Sequence, residues 1–328
     1  MEQPSALHVN EAAFTARRMI AEATRRGYVW HYLPKAAPAQ EWRGLTGRAR
    51  RALIGAGWVA RLRLLARRHD IVHVHSASTV AHAKLGAPRY VLHCHGTDVR
   101  TAQYDPARGE GIRAALRAAE AVFFSTPDLA EHVLPHRADA TYLPVPVDVA
   151  NVPRWTPLDG TPRVVFASRW TADKNTDIQL RTAAALVEAM DGRAEVVGLD
   201  WGPHAADAAA AGVRLLPRRD HPAYLELLAG AHVVVGQAAG ILAVSEVEAL
   251  AAGAPMVVPV ELPLYADTPP PVHGGSVEDV VAATEALLDG SQTHEPEKVR
   301  RWVQDNYGVE HAVDTVAAVH RDVVAARR

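Results

Sequence analysis

Arg169 and Lys174 sit in the stretch RWTADK, directly after the apolar run RVVFAS, and a second loop, from Gly236 to Gly240, precedes a helix that carries Glu246 and Glu248. Cations on a loop above a strand end can hold oxyanions. A guanidinium forks onto two phosphate oxygens, and an ammonium acts as a mobile point charge. The second stretch reads AGILAVSEVEALAAGAPMVVPV: a loop, a helix closed by Gly253, and an apolar run that begins at Met256. In open α/β sheets ligands gather at the carboxyl ends of strands. The turn amides of Gly240, Ile241, Leu242 and Ala243 therefore suit phosphate or sugar oxygens. Gln237 is the polar side chain of that loop, and it serves either a bound sugar or the loop's own backbone.

Four imidazoles are the other group able to do chemistry. His73 and His75 alternate with apolar residues in DIVHVHS, as do His93 and His95 in RYVLHCHG, so each strand projects its pair to one face. A zinc site needs three or four converging ligands with supporting partners, and two pairs on separate strands do not establish convergence. The expectation is buried or ligand-facing histidines and no metal. Asp98, three residues beyond His95, reads either as a side chain lining a binding site or as the cap of a turn.

These residues need strands and helices to place them, and the apolar spacing supplies a doubly wound pattern. Residues 6–10, 28–33, 70–76, 89–96 and 121–125 read as strands, with helices at 13–25, 109–120 and after Pro127, which suits a first helical position. The opening turn, Asn10-Glu11-Ala12-Ala13, has no glycine for close backbone approach to a ligand. Residues 147–162 carry Pro153, Pro157, Gly160 and Pro162 with little periodicity, which marks a domain boundary. A second unit starts at Arg163, with strands at 163–168, 195–199, 213–216, 231–236 and 256–260 and helices at 177–190, 224–229, 277–288, 296–306 and 310–325. The connection through Glu261, Pro263, Tyr265 and the triple proline from Pro269 is stiff.

The chain has 328 residues, a formal net charge of −2 and a single cysteine, Cys94. The length favours two domains, and the balanced charge points away from nucleic acid. One cysteine fits a reducing cytoplasm, and no apolar run reaches membrane-span length. The wealth of Ala, Arg and Val suggests a high-GC bacterial genome. From Arg43 to Arg68 there are eight arginines and no acidic residue, with Leu53, Ile54, Trp58, Leu62 and Leu65 near helical spacing. That segment reads either as a solvated helix packed through its apolar stripe or as a peripheral contact with anionic membrane, and Gly55 and Gly57 weaken a continuous helix.

The spelling EALAAGAPMVV resembles the signature of GT-B glycosyltransferases of the family-4 type, with Leu250 in place of the usual methionine. The loop RWTADK resembles the family's Gly-Arg, four residues, Lys, with Ser168 in place of glycine. DIVHVHS and HCHGTDVR resemble its third and fourth amino-terminal strands, and YLPVPVD its exit from that domain. The resemblance implies two Rossmann-like doubly wound domains facing a cleft. It places an acceptor domain at residues 1–150, a nucleotide-sugar domain at 160–308, and a last helix, 309–328, crossing back to the first. It implies retaining, metal-independent transfer from a nucleotide diphosphate sugar, UDP- or GDP-linked, to an acceptor hydroxyl or other nucleophile, in cell-envelope or natural-product synthesis. Arg169 and Lys174 would neutralise the diphosphate, whose charge grows as its bond to the sugar breaks. Glu248 would hold the ribose and His95 would lie beside the transferred sugar, with Gln237, Asp98 and Asn10 toward sugar or acceptor. The family's other glutamate, eight residues before Glu248, is Gly240 here. Two rivals on the same fold are a non-catalytic sugar-nucleotide-binding protein and a sugar-nucleotide epimerase drawing on Asp98 and Glu246.

Overall fold

The computed structural model describes residues 3–35, 44–263 and 268–328. Arg43, at the head of the basic segment, and Tyr265, in the stiff connection, lie outside them. The chain divides into two compact units, Met1–Pro146 with Val309–Arg328, and Val147–Gly308.

In the first unit the strands are β1 (Ala6–Val9), β2 (Trp30–Leu33), β3 (Ile71–His75), β4 (Val91–Cys94), β5 (Ala121–Phe124) and β6 (Thr141–Tyr142). They form one parallel sheet in the order β2-β1-β3-β4-β5-β6, so the winding reverses between β1 and β3. Alternation sends Leu7, Val9, Val72, Val74, Leu92 and Cys94 into one core and Ala6, Ile71, Val91 and Phe123 into the other. The second core is closed by the helix Thr15–Arg25 and by the last helix, Val309–Ala326. Arg26 pairs with Asp314 at 2.6 Å, and Arg327 pairs with Glu120, tying the last helix to this unit.

The second unit holds β7 (Arg163–Phe166), β8 (Glu195–Leu199), β9 (Arg214–Leu216), β10 (Val233–Val235), β11 (Met256–Val258) and β12 (His273–Gly274). They too are parallel, in the order β12-β11-β10-β7-β8-β9, with the reversal between β7 and β10. Among the described residues this is an α/β fold of two six-stranded parallel sheets. The stretch read as a domain boundary is a strap packed on the second unit. Val149 and Val152 are buried in its core, and Trp155 Nε1 donates to the Ala231 carbonyl at 2.7 Å. Its prolines interrupt regular structure without stopping it from packing.

The basic segment forms one helix, Gly44–Ala66, that runs through Gly55 and Gly57. Its apolar residues do not make one packed stripe. Leu62 is buried and Trp58 and Leu65 lean on the core, whereas Leu53 is 74% exposed and Leu64 52%. No helix of the described residues is long and apolar enough to cross a membrane.

Candidate functional site

The reversal between β7 and β10 places two loops side by side at the carboxyl edge of the second sheet. They are stitched together: the Ala238 amide donates to the Lys174 carbonyl at 3.3 Å, and Asn175 Nδ2 donates to the Ala238 carbonyl at 3.3 Å. The loop of Arg169 and Lys174 is thereby held against the loop of Gln237 and Gly240. Gly236 makes the close approach possible, because a Cβ there would fall 2.7 Å from Val258 Cγ1 and 3.1 Å from Glu246 Cγ. Gly240 has φ 74° with open space beside it. A larger side chain would fit but would strain the backbone.

The helix Val244–Ala252 begins at this edge, and its two carboxylates differ in use. Glu246 is fully buried: Oε1 accepts from Ser168 Oγ at 2.8 Å, and Oε2 accepts from the Ala243 amide at 2.9 Å. Ser168, where the resembled family has glycine, thus joins the first loop to the second helix. Because the Ala243 amide is spent on Glu246, it is not part of the expected amide cradle, in which Gly240 and Ile241 remain. Glu248 is 2% exposed and meets His221 Nε2 at 2.8 Å. Tyr224 donates its hydroxyl to the Ala167 carbonyl at 2.5 Å, and burial, aided by the charges of Glu246 and Glu248, pushes its pKa far up, so it stays a donor. Gln237 Nε2 donates to the Ile241 carbonyl at 3.1 Å while its Oε1 is buried without a partner.

Arg169 is 43% exposed and bridges to Asp173 at 3.1 Å; Lys174 is half-buried. Trp201, at the end of β8, lies between two guanidinium groups, with Arg218 Cζ 4.5 Å and Arg169 Cζ 5.9 Å from its ring centre. The resemblance puts residues 217–224 where the family has loops near the nucleobase, but sequence reasoning gave His221, Arg218 and Trp201 no individual role. His221 opens a helix, His221–Ala229, whose Asp220 cap accepts from the Ala223 amide at 3.0 Å. The sequence Asp-His-Pro was the available signal for that helix start.

The first unit uses its corresponding edge differently. Asn10, Ala13 and Phe14 all take left-handed backbone conformations, with φ of 72°, 52° and 61°. The turn therefore adopts a glycine-like path without glycine, which is uncommon for such residues. Asn10 Nδ2 donates to the His75 carbonyl at 2.9 Å and to Thr79 Oγ1 at 3.0 Å, fixing the turn. Glu11 accepts from the amides of Ala12 at 2.9 Å and of Ala16 and Arg17, both at 3.1 Å. Its carboxylate occupies the place where a helix start would otherwise meet an external anion.

Asp98 is a cap: it is 4% exposed, Oδ2 accepts from the Ala77 amide at 2.8 Å, and Oδ1 accepts from the amides of Gly96 at 3.0 Å, Val99 at 3.1 Å and His95 at 3.2 Å. Of its two expected roles, these bonds show the cap. Arg100, on the same loop, is paired with Asp128 at 2.6 Å.

The histidine pairs do share a face, and two more join them. Register sets His8 beside His73 and His75 beside His93, and His320 reaches in from the last helix. His8 Nδ1 and His75 Nε2 lie 3.1 Å apart, as do His75 Nδ1 and His95 Nε2, and His73 Nδ1 and His320 Nε2. Burial, reinforced at His8 by the charges of His93 and His69, lowers the pKa of His8 to about 3; burial lowers that of His95 to about 3 and holds the other four well below the usual imidazole value. All six are neutral at pH 7. Ring nitrogens without a hydrogen-bond partner remain at His8, His73, His93, His95 and His320. Each such group costs about 1–3 kcal/mol when buried unpaired.

No protein-family model matches the chain, and no curated protein matches it. Solved structures do. AviGT4, a glycosyltransferase involved in Avilamycin A biosynthesis, is 18% identical over 98% of both chains, with a TM-score of 0.65. Anabaena Alr3699/HepE in complex with UDP is 13% identical over 97% of this chain and 100% of its own, at 0.67. TarM is 13% identical at 0.60, over 80% of this chain, which spans only 58% of TarM. A putative UDP-N-acetylglucosamine 2-epimerase from Listeria monocytogenes is 14% identical over 96% and 95%, at 0.57. The fold is that of GT-B glycosyltransferase structures.

Proposed function

We propose that the protein is a retaining glycosyltransferase that moves a sugar from a nucleotide diphosphate sugar, UDP- or GDP-linked, to an acceptor hydroxyl or other nucleophile. The observation that carries this reading is the stitched pair of loops at the β7/β10 reversal, which joins a basic loop to a turn of backbone amides beside a buried carboxylate. Arg169 and Lys174 take the diphosphate, whose negative charge grows as the sugar leaves. Glu248, oriented by His221, holds the ribose. The amides of Gly240 and Ile241 meet phosphate or sugar oxygens, and Gln237 offers its unpartnered oxygen to a sugar hydroxyl. Asn10 and His95 belong to the first unit, to which this reading assigns the acceptor.

In this reading the acceptor attacks the anomeric carbon on the face from which the diphosphate departs. The acceptor proton passes to the departing phosphate oxygen, so configuration is kept without an enzyme nucleophile. Asp98 and Glu246, the carboxylates on which epimerase chemistry would draw, are both tied to backbone amides. Neutralisation of the diphosphate by Arg169 and Lys174 makes transfer independent of an added divalent metal. The cell-envelope or natural-product setting, a bacterial cytoplasm and contact of the Gly44–Ala66 helix with anionic membrane belong to the same proposal. Co-sedimentation with vesicles of anionic and of neutral lipid tests that contact.

Incubation with UDP- and GDP-sugars, with release of the free diphosphate as readout, tests the activity. Donor-specific release that is lost in Lys174→Ala supports the reading. Diphosphate binding with no release or transfer from any donor establishes the non-catalytic rival, and interconversion of the sugar epimers establishes the epimerase.

A further inference from the structure

We propose that His75, His93 and His95 bind one transition-metal ion of the zinc type in the first unit. The inference stands on that unit alone and does not rest on the transfer reading. One ring nitrogen from each of the three lies within 4.8 Å of the other two. β3 and β4 are adjacent, His75 and His93 are register partners, and His95 follows His93 on the same face. His75 Nδ1 and His95 Nε2 are already 3.1 Å apart. Zinc bonds to imidazole of about 2.0–2.1 Å in a tetrahedron put ligand nitrogens about 3.3–3.4 Å apart. The three rings are stacked or tilted rather than aimed at one point, so binding turns them about their terminal torsions, which are soft for histidine. The strands need not move.

Two further features point to a ligand. His93 is wholly buried and neither ring nitrogen makes a hydrogen bond of ordinary geometry, although the Leu143 backbone lies close enough to favour its protonated form. His75, with Nδ1 toward the ion, presents Nε2 to His8 Nδ1 at 3.1 Å, which takes the place of the carboxylate, carbonyl or water that metal-bound histidines ordinarily have as outer partner. A second cluster, His8, His73 and His75, is buried throughout, whereas the half-buried His95 gives the outer one a path for entry. Three imidazoles suit zinc, copper or nickel and not magnesium or calcium. Cys94 sits in the opposite core and both oxygens of Asp98 are taken by amides, so a solvent or ligand oxygen would complete the site.

The test uses the full chain without a histidine tag, stripped with chelator, dialysed, and titrated with Co(II) and then Zn(II). One equivalent of Co(II) should give the visible ligand-field absorption of a tetrahedral site, and Zn(II) should abolish it and raise the melting temperature. Folded His93→Asn should show no absorption, and so should His95→Asn, whose ring is at the edge of the core. His8→Asn should weaken binding about 10–100-fold, as loss of an outer partner does. His320→Asn should leave the Co(II) spectrum in place. Stripped, folded protein that binds neither ion at micromolar concentration overturns the proposal and leaves a chain of hydrogen-bonded imidazoles only. Unchanged Co(II) absorption in either folded ligand variant overturns it equally.

Discussion

Both units build six-stranded parallel sheets with one reversal, one strand from the edge in the first and two in the second, but they fill the first turn with opposite charge. In the first unit, Glu11 lays its carboxylate on the amides that open the Thr15–Arg25 helix. In the second, the helix Thr176–Met190 opens without a side-chain cap, and the loop before it carries Arg169 and Lys174. One unit brings its own anion; the other sets two cations beside an uncapped helix start. The buried polar groups differ as well. The first unit buries neutral imidazoles on its strands, whereas the second buries carboxylates on a helix, Glu246 on Ser168 and Glu248 on His221. A shared fold therefore says little about where chemistry happens, and the charge at each reversal point says more.

The largest expected effect falls on Lys174. If the second unit takes the diphosphate, Lys174→Ala should lower turnover about 100–1000-fold, the usual loss for a group that stabilises charge in the transition state, with a normal thermal transition. Near-normal transfer by the folded variant would remove Lys174 from the site.

Acid should single out the first unit. His8 has a pKa near 3 in the folded chain against 6.5 ordinarily, so between those values the unfolded chain takes up a proton that the folded chain refuses. Stability is fully present above about pH 6.5 and falls on acidification by about 1.4 kcal/mol per pH unit for each such group. In chelator-treated protein, denaturant melts of His8→Phe should show a shallower loss between pH 6.5 and 4.5 than the parent. Parallel slopes would mean that His8 is not held neutral.

Smaller effects separate the two turns. Glu11→Ala uncovers helix amides and should cost about 1 kcal/mol of stability, as loss of a cap does, while leaving diphosphate binding intact. Gly240→Ala should cost about 1–2 kcal/mol through its left-handed backbone alone, since nothing blocks the added methyl group. Thermal melts of both variants with and without UDP check this. A Glu11→Ala protein that loses its UDP response would place the nucleotide on the wrong unit.

Much of this arrangement was legible in the chain. Period-two runs such as IVHVH and VLHC, set between helical spacings, are enough to define parallel strands. The Arg169 and Glu248 stretches stood out because cations on a loop above a strand end suit oxyanions and because both spellings resemble a known family's pattern. The rest depended on contacts between distant residues. His8 and His320 join His73 only through strand register and the placement of the last helix, so the sequence showed four imidazoles where the structure stacks six. Asp98 reads in sequence either as a site side chain or as a cap, and its backbone partners show the cap; Glu11 carries no role in the sequence until its amide partners are seen. His221 finds Glu248 across 27 positions of chain, a spacing with no periodic signature. Gly55 and Gly57 were poor guides for a different reason: their helix propensity penalty is small against that of a helix this long.

The central claim is that the second unit holds a nucleoside diphosphate at the β7/β10 reversal, and thermal melting of the full chain against UDP and GDP tests it most directly. Ligand at a hundred times its dissociation constant stabilises a native site by about 2.7 kcal/mol, readily seen as a raised melting temperature. The account predicts that one diphosphate raises it, that Glu248→Ala abolishes the rise, and that Glu11→Ala does not. No response to either nucleotide at millimolar concentration, or a response that survives in folded Glu248→Ala, would contradict it.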